Sequence, residues 1–297
     1  MERKDLPLVW LPGAGGQVGQ ALLRLFPDPE SFVWNPTTRS ELDLSDLESV
    51  TAFLGEHRFD AVVNCAAFTD VNGAETKPKE AETLNADLPA LIFGTIPAGI
   101  HLSTNYVFPS RPGRPYEETE RPLPSDGLGV YGFTKLIGER KALSLGATVL
   151  RTAWVYGPRS WGGTSFYSKI RTQIDAGKDL HVVTDEIGNP TSSLTLARAI
   201  YSLLQDHFSG QSALSKGLYH VTDAGEASRF DLARGIVHIL GSETALTEAK
   251  MSDFPSPVAR PSESVLAPGR LSERFSLKDW KEALREIIEI DNQAETR

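Results

Sequence analysis

The 297-residue chain holds a single cysteine, Cys65, so no intrachain disulfide can form. Its place in the apolar run Ala61-Val62-Val63-Asn64-Cys65-Ala66-Ala67 reads as a buried strand residue rather than a nucleophile. The six histidines are scattered, with no His-x-x-x-His and no Cys-x-x-Cys spacing, so no metal site is expected. No basic run stands out against a formal net charge of −9, which argues against nucleic acid or an anionic membrane surface as partner. A polyanionic ligand would have to find local cations. Long apolar stretches are also missing. Met1-Glu2-Arg3-Lys4-Asp5 leads into a strand too short for a signal segment or a membrane span, and the expected location is the cytoplasm.

What is present is 40% hydrophobic residues, enough to bury one large core or two modest ones. Short apolar runs at 8–11, 32–34, 61–64, 100–103 and 148–151 alternate with helical patterns at 17–25, 47–55 and 130–143. This alternation predicts an α/β fold, a doubly wound parallel sheet of Rossmann type with helices on both faces. The stretch 158–163, rich in glycine, serine and tryptophan and without a period, reads as a mobile loop near a ligand. Helices are expected over 166–176, 194–204, 229–240 and roughly 277–290, with a strand at 218–221. Pro255, Pro257, Pro261 and Pro268 mark an extended stretch before the last helix. Residues 1–157 should form a nucleotide-binding domain, to which part of 178–207 returns. Residues 158–297 should be mainly a smaller α/β substrate-binding domain over the carboxyl edge of the sheet.

Gly13, Gly16 and Gly19 fall between the first expected strand and the helix beginning at Gln17 and Val18. Glycines there let the backbone turn tightly and approach a pyrophosphate, whose charge the free N–H groups at the helix start would hold. An acidic residue after the second strand would grip the ribose 2'-hydroxyl of NAD, but Asn35, Pro36, Thr37 and Thr38 stand there instead. Arg39 follows, and its planar fork suits a 2'-phosphate. NADPH is therefore preferred, with NADH possible; the other reading of Arg39 is a solvated surface cation. Asp43 and Leu44 are candidates for the adenine edge, and Ala66-Ala67 for a small-residue shelf beneath the cofactor.

Tyr131 and Lys135 are spaced four apart, so on a helix both side chains reach one face. A tyrosine is a poor acid or base at neutral pH, and a nearby fixed cation should pull its pKa down. Tyr131 could then trade a proton with a carbonyl or hydroxyl.

With these residues in place the chain resembles the extended short-chain dehydrogenase/reductases, and within them the dTDP-4-dehydrorhamnose reductases. The resemblance runs nearly end to end. Besides the glycine loop it rests on Asn64-Cys65-Ala66-Ala67-Phe68-Thr69, Ser103-Thr104-Asn105-Tyr106-Val107-Phe108, Tyr131-Gly132-Phe133-Thr134-Lys135-Leu136-Ile137-Gly138-Glu139 and Arg151-Thr152-Ala153-Trp154-Val155-Tyr156. Gly188-Asn189-Pro190-Thr191, Gly217-Leu218-Tyr219-His220 and Ala259-Arg260-Pro261 complete it. It implies reduction of a dTDP-4-keto-6-deoxyhexose, with Tyr131 protonating the developing alkoxide. Lys135 would lower the pKa of Tyr131 and bond the nicotinamide ribose, while Thr104 would donate to the same oxygen. Trp154 would lie against sugar or cofactor, and Arg260 would meet the substrate diphosphate.

The sequence departs from the family in two places. Asn105 stands where the family has an aspartate, which keeps shape and hydrogen bonding but loses the carboxylate and bears on substrate choice. Between Asn85 and Ser103 the chain is shorter, and Pro89 and Pro97 interrupt an expected helix, so that helix is either truncated or packed differently. A dehydratase would need an acid and base beside Thr104, where Asn105 and Tyr106 stand. A 4-epimerase using Tyr131 and Lys135, or a non-catalytic NADP-binding regulatory subunit of the same fold, remain alternatives. The expected assembly is a monomer or homodimer.

Overall fold

The computed structural model describes residues 6–96, 98–211, 214, 216–258, 260–275 and 277–295. Met1 to Asp5, Pro97 and Ala259, each used above, lie outside the described residues.

The first half alternates as its apolar runs require: β1 (Leu8–Pro12), α1 (Gln17–Leu25), β2 (Val33–Thr37), α2 (Leu47–Glu56) and β3 (Ala61–Asn64). Then come α3 (Val71–Thr76), α4 (Pro78–Glu82), α5 (Leu88–Thr95), β4 (Gly99–Thr104), α6 (Val130–Ser144) and β5 (Thr148–Thr152). The second half is made of shorter pieces: β6 (Val155–Tyr156), α7 (Phe166–Asp175), β7 (Leu180–Val183), β8 (Ile187–Gly188), β9 (Thr191–Ser192) and α8 (Ser193–Phe208). It ends with β10 (Gly217–His220), β11 (Ala227–Ser228), α9 (Arg229–Leu240), β12 (Leu246–Ala249), α10 (Arg270–Arg274) and α11 (Trp280–Glu295).

The large sheet has the order β10-β5-β4-β3-β1-β2, and every pairing in it is parallel. Its central strands are buried on both faces, which is why they read as continuous apolar runs. Val9 and Leu11 join one core layer, with Leu22 of α1, Leu196 and Ile200 of α8 and Ile287 of α11. Trp10 turns to the opposite layer, with Val50 of α2 and Ile92 of α5. Pro36 is accommodated in β2 because that strand is the sheet edge. β10 returns to the sheet beside β5, while β7–β12, β6–β9 and β8–β11 form small separate pairs.

The structure adds detail at three places. The helix containing Pro89 is not cut short: its packing changes instead. Pro89 has no N–H for the carbonyl of Asn85, and the chain widens into a π turn over Thr83–Asp87 between α4 and α5. The stretch at 158–163 connects β6 to α7 and contains a 3₁₀ turn over Arg159–Trp161. The last helix begins later than expected and runs to Glu295.

The helix that matters most to the site, α6, contains Gly132 and Gly138, each costing helix propensity of about 1 kcal/mol. Contact is the reason for both. A Cβ at Gly132 would overlap the carbonyl of Tyr106, and one at Gly138 would overlap the carbonyl of Asn85. The Asn85 side chain adds bonds to Phe68 N–H at 2.8 Å and to the Thr134 hydroxyl at 3.1 Å. These close approaches press α6 against the end of β4 and present Tyr131 and Lys135 to the interior.

Candidate active site

The glycine turn is set by backbone. Gly13 has φ +80°, and a Cβ on it would stand 2.7 Å from the N of Ala66. Gly13 N–H and Ala14 N–H both donate to the carbonyl of Thr37, at 3.1 and 3.2 Å. Gly16 caps α1 without any side-chain bond, so the first N–H groups of the helix stay open to a ligand. The buried Oε1 of Gln17 has no partner. An uncapped helix start and a cradle that a Cβ would fill together fit a dinucleotide pyrophosphate.

A cleft of about 550 Å³ runs from this turn to α6. It brings together Gly13, Gly16, Gln17, Val18, Arg39, Asp43, Leu44, Ala66, Ala67, Thr104, Asn105, Tyr131, Lys135 and Trp154. Two expected residues do not line it. Gly19 packs α1 onto the turn, where its Cβ would lie 2.7 Å from the Gly13 carbonyl. Arg260 donates to Oδ1 of Asn72 at 3.0 Å, and its buried Nε lacks an acceptor. Arg39 is 80% exposed with Glu80 3.9 Å away, a solvated pair that leaves the guanidinium free to turn. Asp43 accepts from the N–H and hydroxyl of Ser45, which hold its carboxyl below the usual range. Cys65 lines the cleft, and burial pushes its thiol up to about 12, the opposite of a nucleophile.

At the α6 end, Lys135 is 3% exposed and donates from Nζ to the carbonyl of Leu102 at 2.7 Å. Burial brings its pKa down to about 8, and Glu139 one turn on works against that fall. The phenol of Tyr131 moves the other way from expectation: burial raises its pKa, opposed by a hydrogen bond with Thr104 rather than by the Lys135 ammonium. Beneath the pair lies a network that sequence reasoning missed. Arg151, fully buried, donates from Nε to Glu139 Oε2 at 2.9 Å and from Nη2 to Oε1. Ser103 adds a bond to Oε2 at 2.7 Å. The signal was charged residues in an apolar strand and on a buried helix face.

Asn105 is 1% exposed, and its Nδ2 donates to the carbonyl of Ser264 at 3.1 Å and to the Ser264 hydroxyl at 2.7 Å. An aspartate could not donate to that carbonyl, which gives this departure from the family a physical basis. Trp154 has φ +47°, a conformation few bulky residues adopt. Its indole lies against Gly188, and the guanidinium of Arg229 stacks over the ring at 3.5 Å. Arg229 is fixed by two bonds to Glu186 Oε1, at 3.1 and 2.8 Å, and also lines the cleft. Nothing in the sequence marked it. Among the described residues no group of three or more His, Cys, Asp or Glu could hold a metal, and no helix is long and apolar enough to cross a membrane.

Residues 8–292 match the family model described as RmlD substrate binding domain. A dTDP-4-dehydrorhamnose reductase of Mycolicibacterium smegmatis is 34% identical, over 94% of this chain and 84% of the relative. A dTDP-4-keto-6-deoxy-D-glucose reductase of Streptomyces niveus is 33% identical, over 97% of this chain and 99% of the relative. The crystal structure of a Bacillus anthracis dTDP-4-dehydrorhamnose reductase in complex with NADP superposes with a TM-score of 0.83. It is 26% identical and covers 95% of this chain and 98% of its own.

Proposed function

The chain belongs to the RmlD substrate binding domain family, and from that premise we propose that it reduces the 4-keto group of a dTDP-4-keto-6-deoxyhexose with NADPH. The observation that carries the reading is one cleft joining an uncapped, glycine-cradled helix start to Thr104, Tyr131 and Lys135.

When bound, NADPH supplies the hydride for C4 of the sugar. Gly13, Gly16 and the first turn of α1 would hold its pyrophosphate, and Arg39 its 2'-phosphate. Ala66 and Ala67 would floor the cofactor, with Asp43 and Leu44 at the adenine edge. Tyr131 donates a proton from Oη to the C4 oxygen. Burial keeps this phenol protonated at neutral pH but also makes it a weaker acid, so the transfer relies on Thr104 and Lys135 to stabilise the phenolate as the proton leaves. Thr104 donates a second hydrogen bond to that oxygen as charge builds. Lys135 keeps the larger part of its charge at neutral pH with a pKa near 8, and stabilises the phenolate once the proton has left. Trp154 would bear on the sugar ring, and Asn105 would fix its surroundings through Ser264. Arg260 lies outside the cleft, bonded to Asn72, so as the proposed ligand of the substrate diphosphate it would have to release that bond and turn inward.

We assign 1–157 to cofactor binding, joined by part of 178–207 and by β10 and α11, which pack on the same sheet, and the rest of 158–297 mainly to the substrate. The protein is taken to act in the cytoplasm as a monomer or homodimer, without nucleic acid or membrane.

The test is NADPH oxidation, followed by absorbance, with dTDP-4-keto-6-deoxyhexoses made in situ, with and without a 3,5-epimerase. Epimerase-dependent consumption assigns dTDP-4-dehydrorhamnose as substrate, and epimerase-independent consumption a related keto sugar. NADPH binding without consumption would sink the reading. Tyr131→Phe should lower turnover by about 10² or more with NADPH affinity nearly unchanged.

A further inference from the structure

Helix α11 carries buried apolar residues at Trp280, Ala283, Leu284, Ile287 and Ile288. The next position on that stripe is Asp291, 1% exposed. A carboxylate buried there without partners would be strongly unfavourable. It has three donors. Oδ2 accepts from the N–H of Arg159 at 2.9 Å and the hydroxyl of Tyr167 at 2.7 Å, and Oδ1 accepts from the N–H of Ser160 at 2.9 Å. The Arg159 guanidinium continues the attachment outward to Asp175 and to Glu295 at the end of α11.

Arg159 and Ser160 lie in the connection from β6 to α7, whose other side rests on the helix that follows the glycine turn. Trp161 packs with Arg24 of α1, the guanidinium 5.4 Å from the ring centroid. Gly163 has φ +82°, and a Cβ on it would stand 2.8 Å from Cγ of Gln17. Gly163 and Thr164 line the cleft together with Gln17, whereas Asp291 does not touch it.

We propose that Asp291 is a positioning residue for the cofactor: it clamps residues 158–164 onto Gln17 from outside the cleft, and thereby sets how fast NADPH leaves. The inference rests on the cofactor reading above. Because α11 orders the segment before any ligand arrives, that ordering does not fall on the binding step. Without the carboxylate, the segment has to be ordered by NADPH itself, and bound NADPH escapes whenever it opens.

Stopped-flow NADPH fluorescence with Asp291→Asn, Asp291→Ala and Arg159→Ala tests this. Each Asp291 variant should release NADPH about tenfold faster or more, the scale of hydrogen bonds lost from a charged acceptor. The keto-sugar KM at saturating NADPH should stay at the wild-type value. Arg159→Ala, which keeps both backbone bonds to Asp291, should stay close to wild type. Unchanged release from a folded Asp291→Asn protein, or a parallel rise in both KM values, overturns the proposal. Should neither Asp291 variant fold, hydrogen exchange of the wild-type protein decides. Slow exchange of the Arg159 and Ser160 amides without NADPH supports the clamp, and exchange that slows only when NADPH is added overturns it. A wild-type protein that does not bind NADPH would overturn the cofactor reading itself.

Discussion

The two ends of the cleft are built from different material. At the glycine turn the shape comes from backbone: a positive φ at Gly13, two N–H groups on one carbonyl and a helix start that no side chain caps. At the α6 end the proposed reacting groups are side chains, and the cation among them, Lys135, lies above the buried Glu139–Arg151 ion pair. A backbone-built site is sensitive to added atoms and indifferent to most neighbouring side chains. A site of buried charges is sensitive to the loss of any one member, because the partner left behind remains out of water.

That contrast can be broken most forcefully at Glu139. Glu139→Gln leaves Arg151 fully buried without its anion and should cost about 3–5 kcal/mol, read as a lower denaturant midpoint, while NADPH affinity of the folded fraction changes little. Equal damage to cofactor binding would show that the two ends are not separable. Next is Asn105→Asp, which removes the donor to the Ser264 carbonyl and should destabilise by about 1–3 kcal/mol. Its keto-sugar KM should rise more than its NADPH KM; a shift confined to NADPH would remove Asn105 from the substrate side.

The same end should respond to acid. Burial lowers the pKa of His220 to about 4 and holds that of His101 well below 6.5. Below 6.5 the unfolded chain takes up these protons and the folded one does not, so their stability is complete above 6.5 and declines as pH falls toward 4. The loss should approach about 1 kcal/mol per pH unit for each histidine, measured as Tm between pH 7 and pH 5. His220→Gln should flatten that slope; an unchanged slope would place the acid sensitivity elsewhere. The smallest effect is expected at the other end, where Arg39→Ala should weaken NADPH roughly fivefold and leave NADH unaffected, in keeping with one exposed cation. Equal weakening of both would return Arg39 to a surface charge.

Much of this was legible because local rules coincide with the fold. The apolar runs became strands of one parallel sheet, since a strand covered by helices on both faces must be apolar throughout. The glycine turn and the Tyr131–Lys135 spacing depend only on chain geometry, and both reached the cleft. Pro89 left two outcomes open because its effect depends on a neighbour: the π turn is supported where Gly138 admits the Asn85 carbonyl. The segment at 158–164 shows no period because its contacts are tertiary: Asp291, more than a hundred residues away in sequence, accepts from the Arg159 and Ser160 N–H groups. A carboxylate on the apolar stripe of the last helix was the available sign.

Sequence alone determined the parallel α/β sheet, the nucleotide turn and the shared face of Tyr131 and Lys135, because each follows from periodicity or from spacing within a single element. Tertiary structure alone decided that Tyr131 has a raised pKa, that Arg229 and not Arg260 lines the cleft, and that Asn105 serves as a donor to Ser264. These depend on desolvation and on partners from distant segments, and a pKa or a hydrogen bond belongs to the surroundings of a group as much as to the group.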